Sequence, residues 1–312
     1  MTARTLRLGT RGSALALWQA NWTKSELEKR WPDLRVELVP IKTTGDKILD
    51  VPLAKIGGKG LFTKEIDEAL LDGRIDLAVH SLKDVPFELP AGIGIGAVPE
   101  REDPRDAFIS NGGKLSELRP DATIGTSSLR RQVQLRHHFP SLNLVTLRGN
   151  VDTRLRKLAQ REFDGIILAV AGLKRLGHEA RITQILDDDV MVSAVGQGAL
   201  GIVCRKDDDK TLKVLEPLDH PETRICVTAE RGLLRSLGGS CQVPVAGRAR
   251  ITGSRFSVKG LIASLDGIRV ITDEVTGLPE RAEELGLELG QRMLSRGAGD
   301  ILAEIAQYGT GG

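Results

Sequence analysis

A cysteine, an aspartate and a set of arginines are the residues whose surroundings suit chemistry. Cys241 stands in Leu237-Gly238-Gly239-Ser240-Cys241-Gln242-Val243-Pro244-Val245, behind two glycines and three residues ahead of a proline. Backbone-defined loops of this kind can present a side chain rather than pack it away. The chemistry would be that of a displayed thiol; the alternative is a small buried hydrophobe, the common state of a cysteine. Asp84 follows Lys83 in His80-Ser81-Leu82-Lys83-Asp84-Val85-Pro86, a polar stretch after an apolar run. A carboxylate there can stabilise a developing cation or move a proton, or it can cap a helix or form a surface ion pair. Arg11, Arg130, Arg131, Arg148, Arg154 and Arg175 fall at expected strand-to-helix turns. Helix N-termini favour anions, and guanidinium groups add bidentate recognition of carboxylate or phosphate. This placement predicts a ligand carrying several negative charges.

Other chemistries fit less well. Gly57-Gly58-Lys59-Gly60 lacks the Ser or Thr that follows the lysine of a P-loop, and reads instead as a mobile basic loop. Aromatic content is 3% and net charge only +2, which argues against nucleic acid as the ligand. The histidines are scattered, so no metal site is expected. Three cysteines, an odd number without a CxxC spacing, argue against a disulfide framework. Cys204 and Cys226, each among apolar residues, are expected to be buried. No apolar run follows the first residues, so neither signal peptide nor membrane span is expected, and the expected setting is cytoplasmic.

The elements that must position these residues follow from the periodicity. At 312 residues, with 40% hydrophobic and 28% charged residues, the chain has the composition of a soluble protein of two or three domains. A strand at 6–8 turns through Gly9-Thr10-Arg11-Gly12-Ser13 into a helix over 14–29, capped by Ser13. A helix over 61–71 precedes the apolar run 75–79, expected to be a central parallel strand, with Asp84 in the loop at its carboxyl end, where open α/β sheets bind ligands. The charged, proline-bounded stretch 99–106 reads as a linker. Beyond it Gly125-Thr126-Ser127-Ser128 enters a helix over 129–138, echoing the first turn and suggesting two similar lobes facing a cleft. A strand at 144–147, a helix over 151–159 capped by Asn150, and a second apolar strand at 166–171 follow. Ala194-Val195-Gly196-Gln197-Gly198-Ala199 leads into a strand ending at Cys204, which is expected to return to the first lobe. The run 228–236 reads as a helix ending at Gly238 and aiming the cysteine loop, ahead of strands near 249–251, 256–258 and 270–272 and helices near 279–296 and 299–308. The domain expectation is 1–99 with a return segment 199–217, then 105–195, then 221–312.

Taken together, several motifs resemble those of the porphobilinogen deaminase, or hydroxymethylbilane synthase, family. They are Gly9-Thr10-Arg11-Gly12-Ser13-Ala14-Leu15-Ala16, Gly57-Gly58-Lys59-Gly60-Leu61-Phe62, His80-Ser81-Leu82-Lys83-Asp84-Val85-Pro86, Arg101-Glu102-Asp103-Pro104-Arg105-Asp106, Gly125-Thr126-Ser127-Ser128-Leu129-Arg130-Arg131, Leu147-Arg148-Gly149-Asn150, and Glu230-Arg231 followed by the cysteine loop. The resemblance implies an α/β fold of two periplasmic-binding-protein-like α/β lobes around a cleft, plus a small α+β C-terminal domain carrying the cysteine. It implies a transferase that joins four porphobilinogen molecules head to tail into hydroxymethylbilane with release of ammonia, primed on a dipyrromethane cofactor held by a thioether to Cys241. It further implies that Asp84 is catalytic, pairing with pyrrole N–H groups and stabilising the azafulvenium cation left by ammonia. Lys83, Asp84, Ser128, Arg130, Arg131 and Arg148 are implied to bind cofactor, and Arg11, Ser13, Arg154, Arg175 and Gln197 to bind substrate. Lys55, Lys59 and Phe62 fall on the mobile loop. The pyrrole acetates and propionates would account for the arginines. No nucleic-acid or membrane partner is expected, and the chain is expected to be a monomer.

Asp152 departs from the small neutral residue expected between Val151 and Thr153. It favours the helix dipole but would repel an anionic chain, so it is expected to face away from the cleft. The rival reading from another class is a two-lobed anion-binding protein without catalysis, which would need the arginines but no displayed cysteine. A nucleic-acid binder ranks third.

Overall fold

The structure is a computed structural model and describes residues 4–47, 63–238 and 243–310. These divide into two units, one of residues 4–47, 63–102 and 199–224, the other of residues 103–198, 225–238 and 243–310.

The first unit is built on a five-stranded sheet. Its elements in chain order are β1 (Arg4–Thr10), α1 (Ala14–Arg30), β2 (Leu34–Pro40), α2 (Thr44–Lys47), α3 (Lys64–Leu71), β3 (Leu77–Ser81) and β4 (Ile93–Ala97). A later strand, β10 (Leu200–Arg205), and α7 (Asp209–Leu215) complete it. The strand order is β2-β1-β3-β10-β4, with β1 parallel to both β2 and β3, and β10 antiparallel to both β3 and β4. The unbroken apolar run of β3 has a simple cause. Leu77 and Val79 pack on one face with Leu27 of α1, while Ala78 packs on the other with Ile66 and Leu70 of α3. Successive strand residues face opposite ways, and a strand covered by helices on both sides must be apolar at every position. The strand begins two residues later than the periodicity suggests and runs on to His80 and Ser81. Cys204 is buried on β10, and burial pushes its thiol up to about 11, so it stays an unreactive packing residue.

The second unit holds a sheet of matching design. It contains β5 (Asp106–Ser110), β6 (Thr123–Gly125), α4 (Leu129–His138), β7 (Asn143–Val145), α5 (Val151–Ala159), β8 (Gly165–Ala169), α6 (Val170–Arg175) and β9 (Gln184–Leu186). The order is β7-β6-β8-β5-β9, with β6 parallel to its two neighbours and β5 antiparallel to β8 and β9. Each sheet thus has three parallel strands, an antiparallel fourth and an edge, which gives the Gly-Thr turn echo a topological counterpart. Two expectations are corrected here. The apolar run 166–171 is not all strand, because α6 starts at Val170; its first turn is as buried as the strand, so hydropathy cannot mark the boundary. The stretch 99–106 is not all linker, because Asp106 opens β5 and is fully buried.

The same unit resumes within α8 (Pro221–Ser236), from Ile225 on, and continues to β11 (Val245–Thr252), β12 (Arg255–Ala263), β13 (Val270–Gly277), α9 (Ala282–Met293) and α10 (Gly299–Thr310). The three strands form an antiparallel sheet whose core, centred on Leu233, Phe256, Val258, Leu289 and Met293, is sealed by the helices. Val133 of α4 packs with Val192, Ala246 and Leu261, so this sheet rests against the second α/β body.

Candidate active site

In the first unit the site residues sit at the carboxyl ends of β1 and β3. Arg11 lies half-buried in the turn after β1, and Thr10, fully buried, donates its hydroxyl to the Ala16 carbonyl at 3.2 Å. Ser13 caps α1, accepting from the Ala16 amide at 3.4 Å. Ser81 ends β3 and accepts from the Gln19 side chain at 2.8 Å. His80 is buried; burial first, and the charge of Arg11 second, pull its imidazole down to about 4, so it is neutral. Lys83 and Asp84 belong to a single helical turn, Leu82–Asp84. The turn is held at both ends: Leu82 and Val85 are buried, the Leu82 amide donates to Ala199 at 3.0 Å, and the Val85 amide donates to Leu82 at 3.1 Å. Between these anchors Lys83 is half-buried and Asp84 is exposed. Two apolar anchors around a short polar turn fix a carboxylate in place while leaving it accessible.

In the second unit the arginines divide into two kinds. Arg130 and Arg131, in the first turn of α4, are buried against Asp106. Arg130 Nη1 lies 2.8 Å from Asp106 Oδ2 and donates to the Val192 carbonyl at 2.7 Å. Arg131 reaches Asp106 Oδ1 through Nε at 3.0 Å and Nη2 at 2.7 Å, and donates to the Ile167 carbonyl at 2.9 Å. Burial lowers the pKa of Arg131 while Asp106 opposes the shift. Ser128 precedes them as the N-cap; its carbonyl accepts from the Arg131 and Gln132 amides, but its hydroxyl makes no capping bond, unlike that of Ser13.

Arg148 and Arg154 are half-buried around the start of α5. Asn150 caps this helix, accepting from the Thr153 amide at 2.9 Å, and Arg154 Nε donates to the Gly149 carbonyl at 2.8 Å. Burial, then the charges of Arg131 and Arg148, lower Arg154 to about 10. The positive charges of Arg131 and Arg148 thus disfavour the charged form of Arg154, a setting that a bound anion relieves. Arg175, closing α6, donates to the Gly198 carbonyl at 2.6 Å. Gln197, one residue before, donates to the Pro104 carbonyl at 2.7 Å and to Asp106 Oδ1 at 3.1 Å. Asp152 is exposed and pairs with His178 Nε2 at 3.0 Å.

Cys241, Lys55, Lys59 and Phe62 lie outside the described residues. The helix that precedes Cys241 is described: α8 ends at Ser236, the last residue of the expected run, and Gly238 takes the left-handed φ of +59° that ends helices. On this helix Glu230 is fully buried and accepts from the Gly196 amide at 2.7 Å and the Ala249 amide at 2.8 Å. Sequence reasoning missed the roles of Asp106 and Glu230. A signal for Asp106 was present, since two adjacent arginines in a helix that packs on a sheet need a counter-ion, and an acid opening the apolar run Ala107-Phe108-Ile109 is placed to supply it.

Among the described residues no group of acidic, histidine or cysteine side chains could hold a metal, and no helix is long and apolar enough to cross a membrane. Among solved structures the chain is similar to the methionine binding protein MetQ, at 14% identity and a TM-score of 0.45 over 69% of this chain and 89% of that one. Relatives are far more similar in sequence. The porphobilinogen deaminase of Pelobacter propionicus is 54% identical over 98% of this chain and 99% of its own length, and that of Geobacter sulfurreducens 53% identical over 98% and 96%. Residues 6–213 match the model described as "Porphobilinogen deaminase, dipyromethane cofactor binding domain" and residues 224–295 the one described as "Porphobilinogen deaminase, C-terminal domain". With both models matched in order and full-length relatives above half identity, the chain belongs to the porphobilinogen deaminase family.

Proposed function

We propose that this protein condenses four porphobilinogen molecules into the linear tetrapyrrole hydroxymethylbilane, releasing ammonia, on a dipyrromethane group joined to Cys241. The observation that carries this reading is the cluster of Arg131, Arg148 and Arg154, in which burial first, and the charges of Arg131 and Arg148 second, lower Arg154 to about 10. Pyrroles bearing acetate and propionate arms fit such a field, because each carboxylate bound relieves repulsion between the arginines. The dipyrromethane group, when bound, supplies the free pyrrole α-carbon on which the chain is extended.

The residues around it bind, orient and handle charge. Arg148, Arg154 and Arg175 take carboxylates as bidentate receptors, and Ser128, whose hydroxyl is not spent on its helix, adds a donor. Arg130 and Arg131 set the field from inside, and Gln197 acts with them. Arg11, Ser13 and Lys83 take carboxylates presented to the carboxyl ends of β1 and β3. Asp84 accepts the pyrrole N–H of porphobilinogen and offsets the positive charge that grows on the ring as ammonia departs. An exposed carboxylate on a turn anchored by Leu82 and Val85 offers that charge with little reorganisation. Lys55, Lys59 and Phe62 are assigned by the family resemblance to act near the reacting end. A thiolate at Cys241 would form a carbon–sulfur bond that resists hydrolysis better than a serine ether or ester.

The test is the intact mass of the purified protein with peptide mapping around Cys241, followed by incubation with porphobilinogen. Mass equal to two deaminated pyrrole units on that peptide, with release of ammonia and a linear tetrapyrrole, is the expected result. A mass that stays unmodified after incubation, with no ammonia released, overturns the reading in favour of an anion-binding protein.

A further inference from the structure

Asp106 is a buried carboxylate of the second unit shared by three side chains, and no motif reading assigned it a role. It is fully buried at the first position of β5. Its Oδ1 accepts from Arg131 Nε and Nη2 and from Gln197 Nε2, and its Oδ2 lies against Arg130 Nη1. The partners come from two separate segments, the first turn of α4 and the loop at 194–198. The same guanidinium groups also donate to the Val192 and Ile167 carbonyls, tying in the segment before that loop and β8. One carboxylate thus joins three of the residues assigned to ligand binding.

We propose that Asp106 is a positioning residue for the carboxylate-binding field: it fixes the side chains of Arg130, Arg131 and Gln197 on one buried anion. The inference rests on the functional reading above. Two opposed effects can be told apart. If Asp106 acted only through its charge, removing that charge would raise the local positive potential and tighten binding of an anionic substrate. If it acts by position, removal frees two buried guanidinium groups that repel each other, they leave their places, and binding weakens. Charge alone lowers KM; position raises it.

Asp106→Asn keeps the size of the side chain and removes the charge. The experiment measures its thermal unfolding, its intact mass as isolated, and KM and kcat for porphobilinogen beside the wild-type protein. The expected result is a folded variant whose cofactor-bearing fraction is less than half that of wild type, or whose loaded fraction shows KM raised tenfold or more with kcat within threefold. A folded variant loaded like wild type with KM unchanged or lowered overturns the proposal. If Asp106→Asn does not accumulate folded, Asp106→Glu carries the test, since it retains the charge and displaces it by one methylene. A KM raised at least fivefold then supports positioning, and wild-type KM refutes it. Failure of the wild-type protein to consume porphobilinogen would instead refute the underlying reading, so the two failures are distinct.

Discussion

Asp84 stands exposed between two buried neighbours, whereas His80, four residues earlier, is sealed inside the first unit, and the contrast sets what substitution of each should do. Asp84→Asn removes a charge from the surface, so stability should change by no more than about 0.5 kcal/mol. Turnover should fall by about 10²- to 10⁴-fold, the usual range for a positioned acid or base. Steady-state rates and thermal unfolding of the same preparation check both halves, and a variant that keeps its rate removes Asp84 from the chemistry. For His80 the prediction concerns pH. Its folded pKa lies at about 4 against an ordinary 6.5, so between those values the unfolded chain binds a proton that the folded chain refuses. Stability from this residue is therefore fully present above pH 6.5 and is lost as pH falls toward 4, by an amount on the order of 3 kcal/mol. Urea titrations at pH 7 and pH 5 should show the loss in wild type and a flatter dependence in His80→Leu; equal slopes would refute it.

Helix α8 carries the buried Glu230 and precedes Cys241 in the chain, and its path depends on how closely α9 can approach. At Gly286 an added Cβ would lie 2.0 Å from the Ala229 carbonyl oxygen, a backbone atom with no room to yield. Alanine is intrinsically the better helix former by about 1 kcal/mol, but overpacking against a fixed backbone costs about 1–3 kcal/mol and reverses the sign. Gly286→Ala should therefore lower the urea midpoint, and it should reduce cofactor loading by shifting the helix that precedes Cys241 in the chain. A midpoint that rises, as propensity alone would dictate, would show that the helices can separate without cost. The same reasoning explains why the anchored turn at Leu82–Asp84 was legible only in part. The motif placed Asp84 after an apolar strand, but that Leu82 and Val85 would clamp the turn depended on Ala199, far away in the chain.

Within the second unit, the three-stranded sheet is joined to the α/β body by charge as well as by packing. Asp188 receives Arg248 Nη1 at 2.5 Å and Arg250 Nη2 at 2.7 Å, and its carbonyl accepts from Lys259 at 3.2 Å. Arg248 and Asp188 are largely shielded while Arg250 is exposed, so the first pair carries most of the effect. Asp188→Ala should cost on the order of 2 kcal/mol, and wild type should lose part of that difference between low and molar salt while the variant does not. Calorimetry at two ionic strengths decides, and identical salt slopes would exclude an ionic contribution to the joint.

Chain order alone was enough for the capped helices that begin after Ser13 and Asn150, the turns bearing the arginines apart from Arg175, which closes α6, and the family resemblance. These depend on interactions over a few residues or on ordered local motifs. It could not separate arginines buried on a carboxylate from arginines that stay half-buried. Arg130 and Arg148 look alike as turn residues, yet one is buried on Asp106 and the other lies half-buried beside Arg154. The end of the apolar run at 166–171 was hidden for a related reason, since strand and helix bury their residues equally there. Burial and pairing across tens of residues are properties of packing, and only the tertiary structure decides which charge meets which.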